Sequence, residues 1–138
     1  MAHQNTNPVA VLTGGMEVPA VEKFFSGGKW RSLERHRWWE KITDWSDPLT
    51  VVGHYWRRLP GLELGLELTG PPLFPPGEAP SLLGPASKVM CVDYSAGLRY
   101  EERGRGLPEG SLGTNLAALR FPELTLHFAD GQPTVQLS

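Results

Sequence analysis

Residues 71–85, PPLFPPGEAPSLLGP, hold six prolines in fifteen positions. Proline fixes φ and lacks an amide hydrogen, so this run forms neither a helix interior nor a central strand. It reads as an ordered loop with polyproline II character. A ligand for an SH3 or WW domain is the sharper alternative, and the position of the run inside a globular sequence argues against it. The chain's 138 residues suffice for one compact domain. Its 16 glycines and 13 prolines argue for many turns and against a helical bundle.

The flanking segments read as a mixed first half and a largely β second half. Residues 8–13, PVAVLT, are rich in valine and predict a short strand ended by Gly14-Gly15. Residues 18–25 predict a short helix from Pro19, and Gly27-Gly28 a turn. Residues 29–42, KWRSLERHRWWEKI, predict a helix, because Leu33, Arg37 and Trp38 recur at near-helical spacing among good helix formers. Asp47-Pro48 is a turn and residues 49–52 a strand. GLELGLELTG, residues 61–70, alternates with period two and predicts an exposed strand or hairpin. KVMCVDY, residues 88–94, predicts a buried strand. Residues 95–113 are glycine-rich and charged, hence turns and loop. Residues 116–121 and 124–128 predict two strands separated by Phe121-Pro122-Glu123. Asp130-Gly131 is a hairpin turn signal, and residues 134–137 return as an edge strand. The fold class expected from this pattern is α+β and β-rich.

Net charge is −2, which gives no general attraction to nucleic acid or to an anionic membrane. No apolar run reaches the roughly 18 residues that span a bilayer. The N-terminus lacks a basic start followed by an apolar core, so no signal peptide is read. The single cysteine, Cys91, forms no internal disulfide and sits in an apolar run, as a buried inert thiol does. A cytoplasmic protein with no membrane partner is expected.

The chemistry-bearing residues are sparse. In TVVGHYWRR, residues 50–58, His54 follows a β-branched strand and a glycine. It therefore lies where a strand end meets solvent. The missing Cβ of Gly53 lets a ligand or another backbone approach, and a neutral imidazole is a good metal ligand. A lone histidine is more often structural. The spacing of His3, His36 and His127 makes no HExxH helix or zinc finger, and GxSxG, Walker and GxGxxG motifs are absent. Asp93, at the end of its own apolar strand, resembles His54 in placement. Its plainer reading is a strand-end aspartate bonded to turn amides. The segment WRSLERHRWW carries Trp30, Arg31, Arg35, Arg37, Trp38 and Trp39, a mixture that a nucleic-acid surface can use. Packing by Trp38 and Trp39, and pairing of the arginines with Glu34 and Glu40 at helical spacing, is the better reading. Nucleic acid is therefore not expected as a partner.

Several stretches taken together resemble a known family. TVVGHYWRR, KWRSLERHRWWE, NPVAVLTGGMEVPA and KVMCVDYSAGLRYEERG, followed by LAALRFPELTLHFADG, resemble the C-terminal half of bacterial calcineurin-like metallophosphoesterases. The group resembled is that of serine/threonine protein phosphatases and diadenosine tetraphosphatase-like enzymes. VVGHYW and CVDYSAG…LAALR are the most specific pieces, and residues 71–85 fit least well. The resemblance implies the C-terminal portion of a four-layer α/β/β/α sandwich. Two metals, manganese, iron or zinc, would lie at its strand ends and activate a water for attack on phosphorus. His54 matches the metal-binding histidine of the family's GH motif. Asp93 would lie close to the site, and Arg57 and Arg58 are possible phosphate contacts.

The family's aspartate-x-histidine, GDxxDRG and GNHE motifs have no counterpart here. Residues 1–138 are accordingly expected to form one incomplete metallophosphoesterase-like domain with a proline-rich loop at 71–85. No catalytic residue is assigned. One histidine cannot hold two divalent ions, so the chain alone is expected to bind no metal tightly and to be inactive. A missing N-terminal half, or self-association through uncovered sheet surfaces, is the expected partner beside a phosphate-ester substrate. The alternative function is a non-catalytic β-rich protein-interaction module.

Overall fold

The computed structural model describes residues 5–26, 29–59, 73–74 and 78–138. The alternating segment 61–70, the Gly27-Gly28 turn and residues 71–72 and 75–77 of the proline-rich run lie outside the described residues. The chain is mixed helix and strand with small sheets. It divides into two compact units, Met1–Trp38 with Glu67–Leu73, and Trp39–Leu66 with Phe74–Ser138. Among the described residues no helix is long and apolar enough to cross a membrane.

The first unit begins with a short helix, α1 (Pro8–Gly14), where valine content predicted a strand. Local signals override the β-branched residues. The Asn7 side chain caps the helix by accepting from the amides of Val9 and Ala10 at 3.0 and 3.3 Å. Pro8 enters at the first turn, where its missing amide hydrogen costs nothing. Gly15 closes the helix at a φ of 74°.

Two strands follow, β1 (Glu17–Ser26) and β2 (Lys29–Arg35), paired antiparallel. Both expected helices in this region are thus corrected. Good helix formers dominate KWRSLER, but cross-strand pairing with β1 decides its conformation, as tertiary context commonly does. The ladder is irregular between Pro19 and Phe24, where residues 20–23 of β1 face only Ser32 of β2. Arg35 pairs with Glu17 at 3.2 Å at one end. Phe25 and Trp30 meet edge to face near the other, their centroids 5.8 Å apart.

The second unit opens on a 3₁₀ turn (Trp38–Lys41) that buries Trp39. Strand β3 (Thr50–Val52) pairs parallel with β4 (Val89–Cys91), whose three residues are wholly buried. An antiparallel sheet follows in the order β5 (Asp93–Tyr94), β6 (Asn115–Arg120), β7 (Thr125–Phe128) and β8 (Val135–Gln136). The strands expected near 49–52, 88–94, 116–121, 124–128 and 134–137 are all present. The segment expected to be loop holds helix α2 (Arg99–Gly104) between two 3₁₀ turns. Leu59, Met90, Tyr94, Leu126, Phe128 and Leu137 form the core, with Tyr94 and Phe128 edge to face at 5.1 Å. Cys91 is fully buried, and burial pushes its thiol up to about 11, which fits an inert structural cysteine.

Candidate functional site at the end of the parallel strand pair

Parallel pairing carries β3 and β4 to a common end, and the chain leaves both strands there. The connection stays tied after the strands stop. The amide of Val92 donates to the carbonyl of Val52 at 2.9 Å, and that of Arg57 to the carbonyl of Asp93 at 2.9 Å. Residues 53–58 therefore form a turn fixed against residues 92–95.

The turn is strained. His54 and Trp56 have φ of 68° and 52°, in the left-handed region that non-glycine residues avoid. Each such residue costs about 1–2 kcal/mol. Asp93 holds the arrangement in place: one carboxylate oxygen accepts from the amide of Ser95 at 2.9 Å, the other from the amide of Trp56 at 3.4 Å. Ser95, itself left-handed at 57°, donates its hydroxyl to the carbonyl of Arg57 at 2.9 Å. The plainer reading of Asp93, an aspartate bonded to turn amides, is what the geometry gives. Its carboxylate also reaches across to the turn that bears His54.

Side chains of the turn alternate outward and inward. His54 and Trp56 are exposed, whereas Tyr55 is buried with its ring edge to face with Trp39 at 5.4 Å. Among the described residues, no atom beyond its chain neighbours lies within 4 Å of a Cβ placed on Gly53.

The two arginines point into the protein. Arg57 is 1% exposed, donates to the carbonyl of Ala79 at 2.7 Å, and lies 3.7 Å from the Glu78 carboxylate. Its guanidinium sits 5.2 and 5.6 Å from the ring centres of Phe74 and Tyr94. Among the described residues Nε and Nη1 of Arg57 have no hydrogen-bond partner. Arg58 bonds the fully buried carboxylate of Glu102 at 3.1 Å. Glu102 also accepts from the amide of Gly113 at 3.2 Å and from the hydroxyl of Thr114. Neither arginine is a solvated surface cation. Sequence reasoning does not single out Glu102, because nothing in LRYEERG marks which of its charged residues is buried, nor Glu78, which lies in the proline-rich run.

A shallow apolar groove of about 440 Å³ runs beside β3, lined by Pro48, Leu49, Val51, Val92, Leu119 and Phe121 among others. Val51 is half exposed and Phe121 mostly so. Among the described residues β3 has a strand neighbour on one side only.

The tryptophan–arginine segment is dispersed. Trp30 is exposed on β2, Arg35 is paired with Glu17, and Trp39 is buried in the second unit.

A divalent ion would need more donors than the turn provides. Among the described residues no three His, Cys, Asp or Glu side chains cluster closely enough to hold one. His54 alone does not make a metal centre, and both oxygens of Asp93 are engaged by amides. Compared with known protein families, curated proteins and solved structures, the chain matches none.

Proposed function

We propose that the chain is the C-terminal portion of a calcineurin-like metallophosphoesterase, and that His54 is the metal ligand it contributes. One observation carries the reading: an exposed histidine held in a strained, left-handed turn beyond the parallel strand pair. Strain of this kind persists where the surrounding structure over-determines it, often at functional sites. The remaining donors, and the second half of the sandwich, would come from a missing N-terminal half or from self-association. The side of β3 that has no strand neighbour among the described residues, and the apolar groove there, are suited to that contact. Phosphate esters are the substrate class and manganese, iron or zinc the metal. The location is cytoplasmic, and the isolated chain is inactive.

Manganese titration of the chain, followed by NMR of the histidine ring protons, tests the ligand assignment. Selective broadening of His54 at millimolar manganese, with no hydrolysis of para-nitrophenyl phosphate, is expected. Broadening confined to His3, His36 or His127 would sink the assignment. Hydrolysis that disappears in His54→Ala would instead mean that a complete site assembles from this chain. The alternative reading, a non-catalytic β-rich interaction module, draws on the same groove and predicts neither metal response nor hydrolysis.

A further inference from the structure

We infer that the β1–β2 hairpin binds single-stranded nucleic acid through Trp30, Phe25, Lys29 and Lys23. This inference uses the first unit alone and is independent of the phosphoesterase reading. It starts from KFFSGGKWR, residues 23–31, which carries three cations, three aromatic residues and no carboxylate in a chain of net charge −2. The pairing of arginines with glutamates that argued against nucleic acid needed a helix over residues 29–42. Residues 29–35 form a strand instead, so that objection falls here.

The register brings the groups together. Phe25 and Trp30 are direct cross-strand partners, and their rings meet edge to face at 74°. That contact uses little of the indole, for Trp30 is 70% exposed and Phe25 47%. Ser26 and Lys29 form the last pair of the ladder, and Arg31 lies opposite Phe24. Lys23 and Lys29 are exposed. Alternation along the strands puts Lys23 on the face of Phe25 and Trp30, and Lys29 on the opposite face at the hairpin end. An open aromatic ring with a lysine on either face of the ribbon fits a polyanion whose bases are free to stack: the ring takes a base and the lysines take phosphates on either side of it. Duplex bases are already stacked, so a single strand is the ligand class.

An anionic bilayer is the competing surface, and the order of residues argues against it. Lys29 lies one pair nearer the hairpin end than Trp30. Insertion would bury the cation before the indole, opposite to the arrangement in which the aromatic ring leads and the lysine stays at the headgroups.

Fluorescence anisotropy of a labelled ten-nucleotide oligothymidylate, titrated with the whole chain, tests this. Saturable binding at low salt is expected, with affinity in the range of non-specific binders. For about two phosphate contacts, one to each lysine, raising salt from about 50 to 200 mM weakens binding about seven-fold. Trp30→Ala weakens it about ten-fold through lost stacking. Lys29→Glu, which leaves the Phe25–Trp30 pair in place and so separates binding from hairpin integrity, weakens it at least as much. The proposal is overturned by no binding at about 100 μM protein at low salt, or by salt-independent binding. Lys29→Glu binding like the parent overturns it too. So does capture by vesicles of anionic phospholipid without binding of the oligonucleotide.

Discussion

Every buried side chain among the described residues belongs to the second unit, whereas none in the first unit is buried. The two regions therefore keep their shapes by different means. Around β4 and β5, apolar burial at roughly 25 cal/mol per Å² dominates, and the few polar groups admitted are tied down. The β1–β2 hairpin has its ladder, and contacts such as the Arg35–Glu17 ion pair and the Phe25–Trp30 ring pair, in place of a buried core. A two-stranded hairpin of that kind is marginally stable by itself in water. The histidine turn is held to the first kind of structure, and the aromatic–cationic hairpin is the second. A rigid turn suits a ligand atom that must sit in a fixed place, and a less anchored ribbon suits adaptable contact with a flexible polymer.

The largest expected effect lies at the polar centre of the buried region. Glu102→Ala removes the acceptor for Arg58, Gly113 and Thr114 together. Removing one member of a buried ion pair leaves its partner uncompensated, so the loss is about 3 kcal/mol. Urea denaturation reads it as a lower midpoint at an unchanged slope. A cost below about 0.5 kcal/mol, ordinary for a surface change, would show that the carboxylate is not the anchor its burial implies.

That anchor also marks where the sequence stops being informative. KVMCV was legible as a buried strand because an uninterrupted apolar run bounded by polar residues has few other solutions. Placing His54 at a strand end followed from the same logic. The strands β6 and β7 are legible too, on either side of Phe121-Pro122-Glu123. The first half is less legible for two reasons. The valines of PVAVLT favour a strand although Asn7-Pro8 is a helix-start signal, and the propensity of KWRSLER favours a helix although two strand-length runs flank Gly27-Gly28. The burial of Arg57 and Glu102 had no local signal. Each depends on partners far along the chain, Glu78 and Ala79 for the first and residues 113–114 for the second. Chemistry at the turn was legible as a candidate through His54 and Asp93. The role of Arg57 and Arg58 as internal struts was not.

An intermediate effect comes from alkaline pH and separates the two regions by titration. Burial raises the Cys91 thiol from 9.0 to about 11, and the Tyr94 hydroxyl from 10.0 to about 12. Between about pH 9 and 11 the unfolded chain has lost the Cys91 proton while the folded chain keeps it. Stability contributed by this group is therefore complete below pH 9 and falls as pH rises through that window. Denaturation midpoints measured from pH 8 to 11 should decline, and Cys91→Ala should flatten the first part of the decline. A thiol reagent at pH 8 should react with the protein only after unfolding. Rapid reaction under native conditions would mean that β4 is more open than its geometry indicates.

The smallest effect belongs to the hairpin. Arg35 and Glu17 are partly exposed at its inner end, and their pair joins the first and last residues of the ladder. Solvent screening and side-chain entropy limit such a pair to about 0.2–1 kcal/mol. Arg35→Ala should therefore leave the urea midpoint of the second unit unchanged. Its effect should appear locally, as faster hydrogen exchange at Val18, Leu33 and Glu34, and addition of about 1 M salt should reproduce most of it in the parent chain. Among the described residues the hairpin contributes no buried side chain to a core, so its loosening is expected to stay local. If Arg35→Ala instead lowered the global midpoint by as much as Glu102→Ala, the separation between a core-held unit and a ladder-held unit would be wrong. The hairpin would then be part of the cooperative structure that fixes the His54 turn.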